Sequence, residues 1–89
     1  MVLSRGASKA LDKLETRTAK KTMGAMQEIQ RDLLRQRPVV DILKIRGREE
    51  PPAYRLKLGG VRIEYLIFED ENTIYVERIF KRKGDSDYR

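Results

Sequence analysis

Residues 54–88 read YRLKLGGVRIEYLIFEDENTIYVERIFKRKGDSDY. Three apolar runs in this stretch alternate with charge at a period of two, the signature of strands with one buried face. In the first, Tyr54, Leu56 and Leu58 point one way and Arg55 and Lys57 the other. In the second, Val61, Ile63, Tyr65 and Ile67 oppose Arg62, Glu64, Leu66 and Phe68. In the third, Ile74, Val76, Arg78 and Phe80 oppose Thr73, Tyr75, Glu77 and Ile79. The Gly59-Gly60 pair suits a tight hairpin, since both residues tolerate positive φ, and Asp70-Glu71-Asn72 forms a second, acidic turn. The pattern predicts a small antiparallel sheet followed by a basic tail. Arg55, Lys57, Arg62, Arg78, Arg82 and Lys83 punctuate it, and so many cations on one sheet imply an anionic partner.

Upstream of the sheet, residues 46–52 contain Gly47, Pro51 and Pro52 and read as a loop. Residues 39–45 read as an irregular packing segment or a helical turn. Two helices precede them. Ala7, Ala10, Leu11 and Leu14 share one helical face, with Ser8 as the expected N-cap. Thr16 is the expected cap of a second helix running to about Gln36, with Ala19, Met23, Met26, Ile29 and Leu33 as its apolar stripe. Gly24 inside it would allow close approach of a neighbouring backbone, and Pro38 stops it. The Met residues read as core rather than ligands. Lys13, Arg17, Lys20, Lys21, Arg31 and Arg35 fall mostly off the stripe and read as a solvated face. Residues 1–4, apolar at first and then polar, read as a very short strand. The expected architecture is α+β: a helical hairpin over about 7–36 on a small, mainly antiparallel, twisted sheet of three to four strands over about 53–81, with a basic tail at 81–89, all in a single domain of 1–89.

With 89 residues there is room for one small core. Apolar residues make up 39% and charged residues 38%, which is polar for a globular domain. The apolar positions are nonetheless periodic, and so the chain reads as folded. The net charge of +6 and pI near 9.8 favour nucleic acid or an acidic protein as partner. With no Cys there is no disulfide frame, thiolate nucleophile or Cys-based metal site, and with no His the commonest general base is gone. Chemistry falls to Lys, Arg, Tyr or carboxylates. The carboxylates are scattered in turns and tail, so neither a metal nor a cofactor is expected. The chain has no signal peptide and no apolar run long enough to span a bilayer, so a cytoplasmic protein without a membrane partner is expected.

The run KIRGREEPPAYRLKLGGVRIEYLIFEDENTIYVERIFKRKGDSDY, together with the helical hairpin before it, resembles the RelE/ParE superfamily of toxins from toxin–antitoxin pairs. The pattern is a Leu/Ile-x-Gly loop, Tyr-Arg-x-Lys/Arg-x-Gly, Arg-Ile/Val-x-Tyr, and a basic cluster followed by Tyr. The interval from Arg82 to Tyr88 is similar to the RelE branch. That branch cuts mRNA in the ribosomal A site without a metal, whereas the ParE branch poisons DNA gyrase. Lys81 stands where many relatives carry His, and Gly84, Asp85 and Asp87 also depart from the pattern. The resemblance implies a cognate RelB-like antitoxin, the 30S A site and mRNA as partners, and a toxin–antitoxin complex that can assemble into a higher-order oligomer. Two alternatives stay open: a ParE-like gyrase inhibitor without RNase activity, and a degenerate toxin that only binds an antitoxin.

The reaction implied by the RelE resemblance is attack by a ribose 2′-hydroxyl on the adjacent phosphate, leaving a 2′,3′-cyclic phosphate and a 5′-hydroxyl. It requires a base for the 2′ proton, cations for the phosphate charge and an acid for the leaving oxygen. The matching positions are Lys57, Arg62, Arg82 and Tyr88 for catalysis, with Arg55, Lys81 and Lys83 for RNA and phosphate. Arginines grip phosphate oxygens with planar donors and stay charged. Arg62 is the first choice for transition-state charge and Arg82 for charge or leaving-group contact. Lys57 is the strongest base candidate on the cationic face, with Arg55 and Arg62 as its neighbours. Tyr88 would stack on a splayed base or help to move a proton. Arg78 is assigned to structure, in a partly buried ion pair.

Overall fold

The Gly59-Gly60 turn fixes the register of the sheet. A two-residue loop makes Leu58 and Val61 direct partners, and every pair further along β3 (Pro52–Leu58) and β4 (Val61–Phe68) follows by counting. Gly59 has φ +58°, a conformation costly to residues with a Cβ; Gly60 does not adopt positive φ. The fold is taken from a computed structural model and described over residues 1–33 and 42–82.

In chain order the elements are β1 (Val2–Leu3), α1 (Arg5–Asp12), α2 (Thr16–Arg31), β2 (Ile42–Glu49), β3, β4, a 3-10 turn (Glu69–Glu71) and β5 (Thr73–Lys81). The five strands lie in the order β1-β5-β4-β3-β2. All neighbours are antiparallel except β1, which runs parallel to β5. The class is the expected α+β, with one more strand than the upper end of the expected range.

The extra strand is β2. Its residues were expected to form an irregular segment and a loop, but Ile42, Leu43 and Lys44 pair with Leu56, Arg55 and Tyr54. The register then shifts before Glu49 meets Pro52, and Gly47, at φ +80°, lies in that irregular stretch. The interruption and the charges hide the strand's alternation, and both are devices that blunt an edge strand. Only Glu50 and Pro51 remain as the turn, joined by a cis peptide bond.

Both helices begin one or more residues away from the expected caps. Ser4 rather than Ser8 caps α1: its Oγ accepts from the Ala7 N–H at 3.0 Å and donates to the Glu77 carbonyl at 2.7 Å. Glu15 precedes α2 and makes no side-chain cap, and Thr16 is already helical. Helix α2 ends at Arg31 instead of near Gln36, because Asp32 leaves helical geometry; residues 34–36 of the expected helix lie outside the described residues. Gly24 is exposed, and a Cβ there would meet nothing within 4 Å, so it admits no close neighbour.

The expected apolar faces meet in one core. Ala7, Met26 and Ile29 of the helices pack on Leu56, Val61, Ile63, Tyr65, Ile67, Ile74, Val76 and Ile79. Burial of each large aliphatic side chain contributes about 1.5–3 kcal/mol. Thr22 is fully buried among them with no partner for its hydroxyl among the described residues. Gln30 of α2 bolts the far turn to the helix layer. Its Oε1 accepts from the Ile74 N–H at 2.8 Å, and its Nε2 donates to the Asn72 carbonyl at 2.8 Å.

Strand β5 departs from strict alternation. Ile74 pairs with Ile67 and Val76 with Tyr65, but Arg78 pairs with Glu64, which leaves Glu77 as the extra residue of a bulge. Beyond the bulge Ile79 enters the core, while Arg78 and Phe80 turn to the opposite face. Val76 and Arg78 therefore do not share a face, contrary to the simple period-two reading.

Candidate functional site

The face of the sheet away from the helices carries Arg55, Lys57, Arg62, Glu64 and Arg78 in two rows. The row beside the Gly59-Gly60 turn is Lys57, Arg62 and Phe80, because Lys57 pairs with Arg62 and Arg62 with Phe80. The next row is Arg55, Glu64 and Arg78. Such directly opposed side chains are the closest neighbours a sheet makes.

Arg62 curls over the turn. Its Nη1 donates to the Gly59 carbonyl at 2.8 Å and to the Val61 carbonyl at 3.1 Å, which holds the guanidinium at the sheet end. Lys57 stands beside it, exposed. Lys81 pairs with Val61 across the ladder, and the Arg82 N–H donates to the Gly60 carbonyl at 2.6 Å. The fold thus brings Lys57, Arg62 and Arg82, which lie up to 25 residues apart in sequence, to one turn, whereas Lys81, paired with the core residue Val61, falls on the other face of the sheet from Arg62. Glu50, Glu69, Asp70 and Glu71 line an open hollow with Pro51, Pro52, Ile67 and Phe68 at the other end of the sheet.

Arg55 is placed differently. Its Nε and Nη2 both donate to Oε2 of Glu64, at 2.9 and 2.5 Å. Oε1 of the same carboxylate accepts from Nη1 of Arg78 at 3.3 Å. The Glu64 side chain is only 8% exposed, against 45% for Arg55 and 59% for Arg78. A carboxylate so deep requires charged partners, and the two arginines supply them. Arg78 thus makes the ion pair expected of it. Its guanidinium carbon also lies 4.5 Å from the centre of the Phe80 ring, within cation–π range.

Chemically, the turn end offers a phosphodiester the held guanidinium of Arg62 and, directly across from it, the exposed ammonium of Lys57. Among the described residues, no group of three or more Asp or Glu is placed to hold a metal ion. Lys83 and Tyr88 lie outside the described residues. Sequence reading missed the Glu64 clamp, although the signal was present: counting outward from a two-residue turn pairs Arg55 with Glu64.

A family model for the ParE toxin of the type II toxin–antitoxin system parDE matches residues 1–86. The chain belongs to the ParE toxin family. It is a toxin of a toxin–antitoxin system within the RelE/ParE superfamily. No curated protein matches the toxin by sequence. Several solved structures share its fold. A chain of the RelB–RelE antitoxin–toxin complex from Methanococcus jannaschii is 23% identical with a TM-score of 0.68, over 99% of this chain and 98% of that one. The archaeal RelE–RelB complex from Pyrococcus horikoshii OT3 gives 20% identity and a TM-score of 0.76, over 90% of each chain. The isolated RelE toxin of E. coli gives 18% and 0.64, over 98% of this chain and 87% of that one. At these identities the likeness is one of fold. No helix among the described residues of the toxin is long and apolar enough to cross a membrane.

Proposed function

We propose that this toxin is a metal-independent, ribosome-dependent mRNA endonuclease that cuts in the A site by 2′-hydroxyl attack on the adjacent phosphate. The observation that carries this reading is the pairing of Lys57 with Arg62 beside a turn on which Arg82 also closes. Guanidinium groups beside one small site, one of them held by the turn, suit a phosphate that gains negative charge in the transition state. Arg62 holds that charge, Arg82 shares it or contacts the leaving oxygen, and Lys57 takes the 2′ proton. Lys81 and Lys83 draw in the RNA backbone, and Tyr88 stacks on a base from the tail. Arg55 adds positive potential only jointly with Arg78, since the two arginines share the single carboxylate of Glu64.

The archaeal relatives of like fold were solved as RelB–RelE complexes, which supports a RelB-like antitoxin as partner. An acidic antitoxin segment that covers the turn end would neutralise the same cations RNA requires, and the toxin–antitoxin complex would assemble into a higher-order oligomer. The working place of such a toxin is the cytoplasm, with ribosomes and mRNA.

The match to the ParE family over residues 1–86 favours a second reading, gyrase inhibition without RNA cleavage. Translating ribosomes carrying a defined mRNA, treated with wild type or Arg62→Ala, separate the two when run beside a gyrase supercoiling assay. Cleavage at the A-site codon by wild type, reduced about 10²–10³-fold in the variant, supports the endonuclease. Gyrase inhibition without cleavage would replace it with the second reading. Inactivity of folded protein in both assays would leave an antitoxin-binding relic.

A further inference from the structure

The Glu77 bulge turns two consecutive outward positions of β5, Arg78 and Phe80, onto the face that carries Arg62. Phe80 is the direct cross-strand partner of Arg62. Arg78 lies over the Phe80 ring at 4.5 Å, is held at Nη1 by the buried carboxylate of Glu64, and has a side chain 59% exposed. The bulge itself is pinned, since the Ser4 hydroxyl donates to the Glu77 carbonyl. A planar cation is therefore backed by an aromatic ring, fixed at one edge by a salt bridge and open to solvent, one row from the proposed phosphate site.

We propose that Arg78, stacked on Phe80 and clamped by Glu64, is a platform for one splayed nucleobase of the RNA strand bound at Arg62. Guanidinium planes and aromatic rings are the two surfaces on which proteins stack unpaired bases. A platform fixed before binding loses little conformational freedom when the base arrives. By stacking the base next to the scissile phosphate, it would hold the ribose for in-line attack. This role lies within the described residues and is separate from that of Tyr88. It rests on the endonuclease reading.

The test uses the full chain on ribosomes programmed with an mRNA whose A-site codon carries 2-aminopurine beside a 2′-deoxy nucleotide, so that the strand binds but is not cut. Stacking quenches the fluorophore. The variants are Phe80→Leu, which keeps apolar bulk, and Arg78→Lys, which keeps charge at an exposed position. The second reports on the platform even if the first fails to fold. Wild type is expected to quench. Folded variants are expected to co-sediment with ribosomes and quench weakly, and to cut unmodified mRNA about tenfold more slowly in single turnover. Variants that quench and cut like wild type would overturn the platform. So would a wild type that cuts unmodified mRNA but does not quench the probe, and in that case the endonuclease reading survives. A wild type that neither cuts nor binds ribosomes removes both.

Discussion

Glu64 and Arg55 face each other across β3 and β4, and one carboxylate oxygen takes both of the hydrogen bonds that Arg55 makes to it. The carboxylate is buried and the arginine half exposed. Neutralising Glu64 leaves Arg55 and Arg78 adjacent without their shared counterion. Breaking a buried pair costs about 3–5 kcal/mol, but solvent reaches both arginines and reduces this to about 1–2 kcal/mol. Glu64→Gln should therefore lower the urea midpoint at an unchanged m-value. An unshifted midpoint would mean that the clamp contributes nothing to stability.

The hairpin turn offers a sharper contrast between adjacent residues. Gly59 has φ +58° and Gly60 does not, and a Cβ meets nothing within 4 Å at either position. Gly59→Ala should cost about 1–2 kcal/mol through backbone strain alone, whereas Gly60→Ala should stay within about 0.5 kcal/mol of wild type. Thermal melts of the pair check this, and equal losses would contradict the assigned turn geometry.

Gln30 is the side chain of α2 that reaches the start of β5. Its removal leaves the Ile74 N–H without its partner at the edge of the core. An orphaned buried donor costs about 1–3 kcal/mol. Gln30→Ala should destabilise by that amount, and hydrogen exchange should speed up first at Ile74 and the 69–72 turn. Faster exchange confined to the Gly59-Gly60 end would place the weak point elsewhere.

On the endonuclease reading, Arg62→Lys should be almost as damaging as Arg62→Ala. The arginine spends Nη1 on the Gly59 and Val61 carbonyls and has further planar donors to offer phosphate. A lysine is a single point charge and cannot hold the turn and a phosphate in the same geometry. Single-turnover cleavage on ribosomes is expected to fall about 10²-fold. Near-wild-type cleavage by the lysine variant would reduce the role of Arg62 to charge alone.

Much of the fold could be read from periodicity. The alternation around Gly59-Gly60 placed Leu56, Ile63 and Tyr65 in the core and Lys57 and Arg62 opposite them, and the stripe through Met26 and Ile29 marked the buried side of α2. What escaped depends on interactions that a single segment does not display. Strand β2 is broken by Gly47 and carries the charges of an edge. The N-cap moved to Ser4 because the Glu77 carbonyl, distant in sequence, binds the same hydroxyl. The partnership of Arg78 with Glu64 was hidden by the bulge, since strict pairing from Phe68 and Thr73 would set Arg78 against Ile63. The cation grouping at the turn was legible residue by residue, but its division into Arg62 on the turn and Arg55 on Glu64 was not.

The parallel pairing of β1 with β5 joins the two ends of the described fold in time as well as in space. Val2 pairs with Tyr75, and α1 packs chiefly on the same last strand. Both β1 and α1 therefore lack this neighbour until β5 has been synthesised, and contacts so far apart in sequence form slowly. A chain interrupted before β5 has no place for its own beginning, and it lacks Arg82 as well. On the endonuclease reading, completing the sheet and completing the cationic end both wait for β5, so a chain interrupted before that strand is an unarmed one.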